Sequence, residues 1–246
     1  MKQIKKVVAD YKLLLQNVPT GMTLFFVVST LLMNLAASKI IFNAFNVAVT
    51  GGFILSWAPF LAMDTVTKRF GARASIMLNI LSAAFNVFAV IFLWIVAAVP
   101  TETPYPEFNY IYSGVWFIVV SSTLAFIISG VVNSLINAAI GKLFQNKTSA
   151  IEFYSRSYVS TFVGQAIDNF LFIFGVYVLA APKFWGLEPM PILTCLGTAI
   201  VGGLFELIAE IVLSPAGFKI VKNWEEANVG HDYIEAHADE IKEEEK

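Results

Sequence analysis

The chain has 246 residues, 57% of them hydrophobic and only 14% charged, with a mean hydropathy of +0.71. Soluble domains carry about 25% charged residues, so a water-soluble globule is excluded; 15 Gly, 9 Pro and one Cys exclude collagen, low-complexity and disulfide scaffolds. A formal charge of −2 leaves no basic surface for nucleic acid, and the lone Cys195 in an apolar stretch carries no redox signal.

What remains is an integral membrane protein. A hydrocarbon core about 30 Å thick takes roughly 20 apolar helical residues, and six stretches are expected to cross it. In chain order they cover residues 21–38, 50–66, 75–99, 113–140, 158–181 and 192–213. The second is interrupted by Pro59 and Asp64. The first is read as a span rather than a cleaved signal peptide, because its apolar run is long and polar Asn34 and Lys39 close it.

Basic residues set the orientation. Lys2, Lys5, Lys6 and Lys12 precede the first span, and Lys68, Arg69 and Arg73 separate the second from the third. Lys142, Lys147 and Arg156 separate the fourth from the fifth, and Lys219, Lys222, Lys242 and Lys246 follow the sixth. Lys39 and Lys183 alone fall on the opposite side. The positive-inside rule then places both termini in the cytoplasm.

Between the third and fourth spans, residues 100–113 hold three prolines and four aromatics. They read as an interfacial aromatic belt or as a lid over an external vestibule. From Trp224 onward the chain is polar and acidic, the pattern of a frayed cytoplasmic helix or a disordered segment.

Ionisable side chains within spans cost roughly 2.5–3.5 kcal/mol each to insert, so each needs a reason. Asp64, Asp168, Glu206 and Glu210 are the candidates. Thr161, Gly164, Gln165, Asp168 and Phe172 share the three-and-four spacing of one helical face. Thr161 and Gly164 suit interhelical packing, whereas an amide would serve that purpose at Asp168 without the charge. Glu206 and Glu210 also share a face, where like charges repel unless a proton, a cation or water intervenes. That arrangement suits an amine-bearing solute or a proton. Glu210 alone also fits snorkelling toward the cytoplasmic interface.

Other polar stripes read first as packing surfaces. Gly130, Asn133, Ser134, Asn137 and Gly141 line the fourth span, and Asn79, Ser82 and Asn86 the third. Trp57 is either a lipid-facing anchor or a stacking surface for a flat ring.

No enzyme constellation fits. His231 and His237 both lie in the acidic tail, six apart and without metal-ligand spacing. The chain has no nucleotide-binding glycine motif and no HExxH or CxxC motif. Neither a cofactor nor a metal is expected. A polar interior among apolar helices reads as solute passage or capture, and a repeated channel-filter motif is absent.

Four motifs then belong together. Asn34 leads to Lys39 at the end of the first span. Asp64, Thr67 and Gly71 fit a D-x-x-T-E-x-Y-G pattern, with Lys68 at the Glu and Phe70 at the Tyr. Arg156, Ser160, Thr161, Gly164, Gln165 and Asp168 fit an R…S-T-x-x-(G)-Q/E-x-x-D pattern, in which the Gly is optional, and Glu210 precedes Pro215 by five residues. In these motifs the chain resembles the queuosine precursor transporter family, also called the vitamin uptake transporter family. Lys68 reverses the sign of that family's Glu, and Glu206 stands where a Lys is expected one turn before Glu210.

The resemblance implies an all-α, six-helix membrane protein, similar to the substrate-binding subunits of energy-coupling-factor (ECF) transporters. Residues 1–215 would form the membrane domain and residues 216–246 an acidic cytoplasmic tail. It further implies import of 7-deazaguanine-type bases, precursors of a tRNA base, across a bacterial inner membrane. The alternative is a capture subunit for a vitamin-like solute that needs a separate ATPase module. Partners would then be the purine-like solute, the lipid bilayer, and a second copy or an ECF module.

The residues accommodate such a guest on chemical grounds. A flat base needs a carboxylate for its amidine edge, amides for the other edge and an aromatic face. Asp168 or Glu210 would supply the first, Gln165, Asn34 and Asn137 the second, Trp57 the third. The candidate binding set is Asn34, Trp57, Asp64, Thr67, Asn137, Gln165, Asp168, Glu206 and Glu210.

Overall fold

The structure is a computed structural model that describes residues 2–100, 106–143 and 150–244. Helix α1 (Lys2–Asn17) precedes α2 (Thr20–Ala36). A hairpin of β1 (Ile40–Ala44) and β2 (Val47–Thr50) follows, then a 3₁₀ turn over Gly51–Leu55 and α3 (Trp57–Phe70). Next come α4 (Ala72–Ala98), α5 (Pro106–Tyr112), α6 (Val115–Leu143) and α7 (Ala150–Ile173). Helix α7 runs on as a π-helical segment, Phe174–Ala180, into the short α8 (Ala181–Phe184). Helix α9 (Ile192–Glu226) and two tail helices, α10 (His231–Ala236) and α11 (Ala238–Glu244), complete the order.

Four segments are long and apolar enough to cross a membrane: Ala72–Ala98, Pro106–Ser129, Thr161–Phe184 and Ile192–Leu213. A fifth crossing results if α1 and α2, bent by 108° at their junction, count as one. This is a multi-pass membrane protein whose span-capable helices number four or five among the described residues, against the six expected.

The difference lies at residues 50–66. Instead of one helix, this stretch is the end of β2, a 3₁₀ turn and the start of the 14-residue α3. At 1.5 Å per residue α3 reaches only about 21 Å, short of a bilayer core. Gly51 and Gly52 explain the break. A Cβ on either would sit 2.8 Å from the Ala36 carbonyl oxygen or 2.5 Å from that of Met33, so the chain here folds back tightly on the end of α2. Pro59 falls in the first turn of α3, where a missing N–H costs nothing.

The hairpin is a second departure from an all-α reading. Ile40 pairs with Thr50 and Ala44 with Val47. Phe45 and Asn46 close it with φ of 54° and 58°, the left-handed pair of a two-residue type I′ turn. Asn suits that region; for Phe it costs about 1–2 kcal/mol.

The chain divides into two compact units. One comprises residues 1–32, 55–85 and 210–246. Its core gathers Leu14, Val18, Phe26, Val66, Phe70 and Leu78 around Tyr233, which is fully buried. The tail, expected to be frayed or disordered, is docked here. Phe70 meets Tyr233 edge-on at 6.2 Å and Trp224 at 5.8 Å. Arg69 donates through Nε and Nη2 to the Val229 carbonyl, and Arg73 bridges Asp10 (2.8 Å) and Glu240 (2.6 Å). Gly230, at φ 79°, lets the backbone pass where a Cβ would lie 2.1 Å from the Phe70 ring. Residue 215, the expected end of the membrane domain, falls inside the continuous helix α9.

The other unit comprises residues 33–54 and 86–209. Val115, Ile118, Val176, Tyr177 and Cys195 form its fully or nearly fully buried centre. Gly175 lets α7 approach α6 closely, since a Cβ there would lie 2.5 Å from the Ser121 hydroxyl. The Tyr177 hydroxyl donates to the Ala37 carbonyl. The aromatic loop of residues 100–113 folds in part as α5. Tyr110 donates to the Trp185 carbonyl, and the Trp185 indole donates to that of Ile111.

Candidate functional site

Helices α7 and α9 meet through a pair of glycines. A Cβ on Gly203 would lie 3.2 Å from the Ala166 nitrogen and 3.3 Å from the Phe162 carbonyl oxygen; one on Gly202 would lie 2.9 Å from the Asn169 amide nitrogen. Small residues permit this close approach. Glu206 follows Gly202 by one helical turn, so the close approach carries its carboxylate to α7.

There the Asn169 amide donates to Glu206 Oε2 at 3.1 Å and to the Gln165 carbonyl at 3.0 Å. One residue earlier, Asp168 Oδ1 accepts from the Ser129 hydroxyl of α6 at 2.9 Å. Three helices therefore contribute to one polar cluster. Glu206 is buried, while Gln165, Asp168 and Asn169 are half-buried. Asp168 stands next to Asn169, the residue bonded to Glu206, so two acidic side chains belong to one cluster.

The partners named above are neutral donors, a hydroxyl and an amide. In a low-dielectric interior two neighbouring carboxylates draw in positive charge: a proton, a cation or the N–H edge of a guest. An aromatic pair stands at the same stretch of α9, with Phe205 exposed where Glu206 is buried. Phe53, from the 3₁₀ turn, and Phe205, next to Glu206, have ring centroids 4.7 Å apart at 36°. A Cβ on Gly202 would also touch Phe53, at 3.2 Å. The missing side chain of Gly202 thus leaves room for the Asn169 amide and the Phe53 ring together.

Of the expected residues, Gln165, Asp168 and Glu206 come together here. Asn34 lies in the same unit, and its amide donates to Asn86 Oδ1 at 2.9 Å; both side chains are buried. Trp57, Asp64 and Thr67 stand on α3 in the other unit. Trp57 has its ring 6.3 Å from that of Phe25. Asp64 is exposed with Lys68 one turn on, and Thr67 is half-buried. The side chains of Asn137 and Glu210 lie outside the described residues.

Reading the chain alone missed Ser129, Asn169, Phe53 and Phe205. Asn169 was accessible in principle, being four residues from Gln165 and beside Asp168. Ser129 and Phe53 were not, because only tertiary packing brings them to α7 and α9. Groups of three or more His, Cys, Asp or Glu able to hold a metal do not occur among the described residues.

The family described as "Putative vitamin uptake transporter" matches residues 50–220, well over half the chain. No curated protein and no solved structure matches.

Proposed function

The chain belongs to the vitamin uptake transporter family, and on that premise we propose that it imports a small, flat, N–H-rich heterocycle, a 7-deazaguanine-type queuosine precursor, across a bacterial inner membrane. The observation that carries this reading is the presence of Asp168 and Glu206 in one polar cluster with Asn169, at the stretch of α9 that also holds Phe205 of the Phe53–Phe205 ring pair. An aminopyrimidinone edge presents N–H donors in the plane of the ring. Carboxylates accept them, an amide reads the remaining acceptor, and a phenyl face stacks on the base. A guest that donates to both carboxylates also relieves their repulsion.

In this reading Asp168 and Glu206 take the donor edge, Gln165 and Asn169 orient the base, and Phe53 and Phe205 cover it. Glu210 and Asn137 stay in the proposed binding set. Asn34, Trp57, Asp64 and Thr67 belong to the family motifs and would serve entry or release. A six-crossing arrangement with both termini inside, resembling ECF capture subunits, is part of the proposal.

The test is uptake of a labelled 7-deazaguanine-type base by bacterial cells that lack their own importer. Expression of this chain should confer uptake, and Asp168→Ala should abolish it while the protein still reaches the membrane. Normal transport by Asp168→Ala would place the site elsewhere. Uptake that appears only when an ATPase module is co-expressed would identify a capture subunit instead.

A further inference from the structure

The β1–β2 hairpin has features that the transport reading does not use. Its tip residue Phe45 is 95% exposed, and Ile41, Phe42 and Ile54 nearby are also largely exposed. From Ile40 to Met63 the sequence contains no charged residue. In water such a hairpin would be an aggregation hazard, an uncharged strand edge with bare aromatics. Phe45 is also conformationally out of place. At φ 54° the turn favours Asn, Asp or Gly, yet it carries the bulkier aromatic with almost no protein contact. Neither backbone preference nor packing within the fold favours Phe at this position.

The position of the hairpin says what that is. The Asn46 carbonyl rests on Gly197 of α9, where a Cβ would lie 2.1 Å away, and the Ala48 N–H donates to Thr198 Oγ1 at 2.7 Å. Ile192 begins an apolar span-capable segment, so this contact sits roughly 8 Å along that helix. A contact so near the start of a span-capable segment falls within the range of about 5–10 Å over which interfacial elements bury their apolar face. Ala48 and Thr50 of β2 face inward, whereas Ile41 and Phe42 of β1 face outward. The strands pair with each other and with Thr198, so much of their backbone hydrogen bonding is met at that depth.

We infer that the β1–β2 hairpin is an interfacial membrane anchor, with Phe45 as the wedge inserted among phospholipids and Phe42 and Ile41 lying along the same boundary. Because the strand leads directly into the turn that carries Phe53, this anchor also fixes the approach of Phe53 to Phe205. The inference does not depend on which solute is carried.

The test uses the full chain with Cys195→Ser and a nitroxide attached at Phe45→Cys, reconstituted in phosphatidylethanolamine–phosphatidylglycerol vesicles. A second label at Glu235→Cys, on the exposed face of the tail, serves as the aqueous reference. At position 45, collisions with lipid-soluble oxygen should exceed those with an aqueous nickel chelate, giving a ratio several-fold above that at position 235. A ratio equal to the reference would place the tip in water and overturn the inference. Protection from both reagents, with spin–spin broadening, would place it against a second copy and overturn it equally. Phe45→Asn supplies an independent check. It relieves the backbone and would be neutral or stabilising if the residue served only the turn; the anchor predicts a lower melting temperature in vesicles that Phe45→Trp restores.

Discussion

Replacing Gly202 by alanine tests how the polar cluster is assembled. The new methyl would lie 2.9 Å from the Asn169 amide nitrogen, 3.0 Å from its Cγ and 3.2 Å from the Phe53 ring, where ordinary contact begins at 3.4 Å. Asn169 must therefore retreat by about half an ångström. It is tied twice, to the Gln165 carbonyl at 3.0 Å and to Glu206 at 3.1 Å, and the retreat stretches the second bond beyond useful length. Losing a hydrogen bond to a buried carboxylate costs about 1.5–3 kcal/mol. The expected loss of solute affinity is then roughly tenfold to a hundredfold. Overpacking adds about 1–3 kcal/mol of destabilisation, read as a lower melting temperature in detergent. Gly21→Ala, at a position with open space around it, is the control and should be silent. If Gly202→Ala binds the base as the unaltered protein does, the cluster does not form the site.

Three further outcomes are expected. Asn86→Leu should destabilise the protein by about 1–3 kcal/mol, whereas Asn34→Leu combined with Asn86→Leu should cost less than the sum of the two; additive melting shifts would show that the pair is not coupled. Gly230→Ala combines a left-handed backbone with a clash against Phe70, so the tail should loosen by about 1–3 kcal/mol and become cleavable by added protease, and continued resistance would contradict its docking. The Arg73 guanidinium beside Glu240 holds that carboxyl below its ordinary value of 4.5. A lowered folded value means that the contribution to tail docking is complete at neutral pH and disappears only as pH falls through the lowered value. Trp224 fluorescence should accordingly stay constant from pH 7 to about 5, and tail release within that range would contradict the assignment.

The apolar helices were legible because twenty consecutive apolar residues have few other uses. Residues 50–66 were not, because hydropathy measures composition and not geometry. Gly51–Gly52 breaks the run, and the turn at Phe45–Asn46 lacks the glycine that ordinarily betrays a hairpin. The tail misled for the opposite reason. Its average polarity reads as disorder, yet it is docked by Tyr233 and by two arginines of distant helices, Arg69 of α3 and Arg73 of α4. The Asp168 face followed from helical spacing. Its partners Ser129 and, for Glu206, Asn169 lie 39 and 37 residues away in sequence, a separation that no periodicity reports.

Equilibrium binding of a radiolabelled 7-deazaguanine-type base to the purified, lipid-reconstituted chain tests the central claim most directly. Saturable binding is expected, weakened at least tenfold by either Asp168→Asn or Glu206→Gln, with helical content unchanged. Unaltered affinity in both variants would contradict the account.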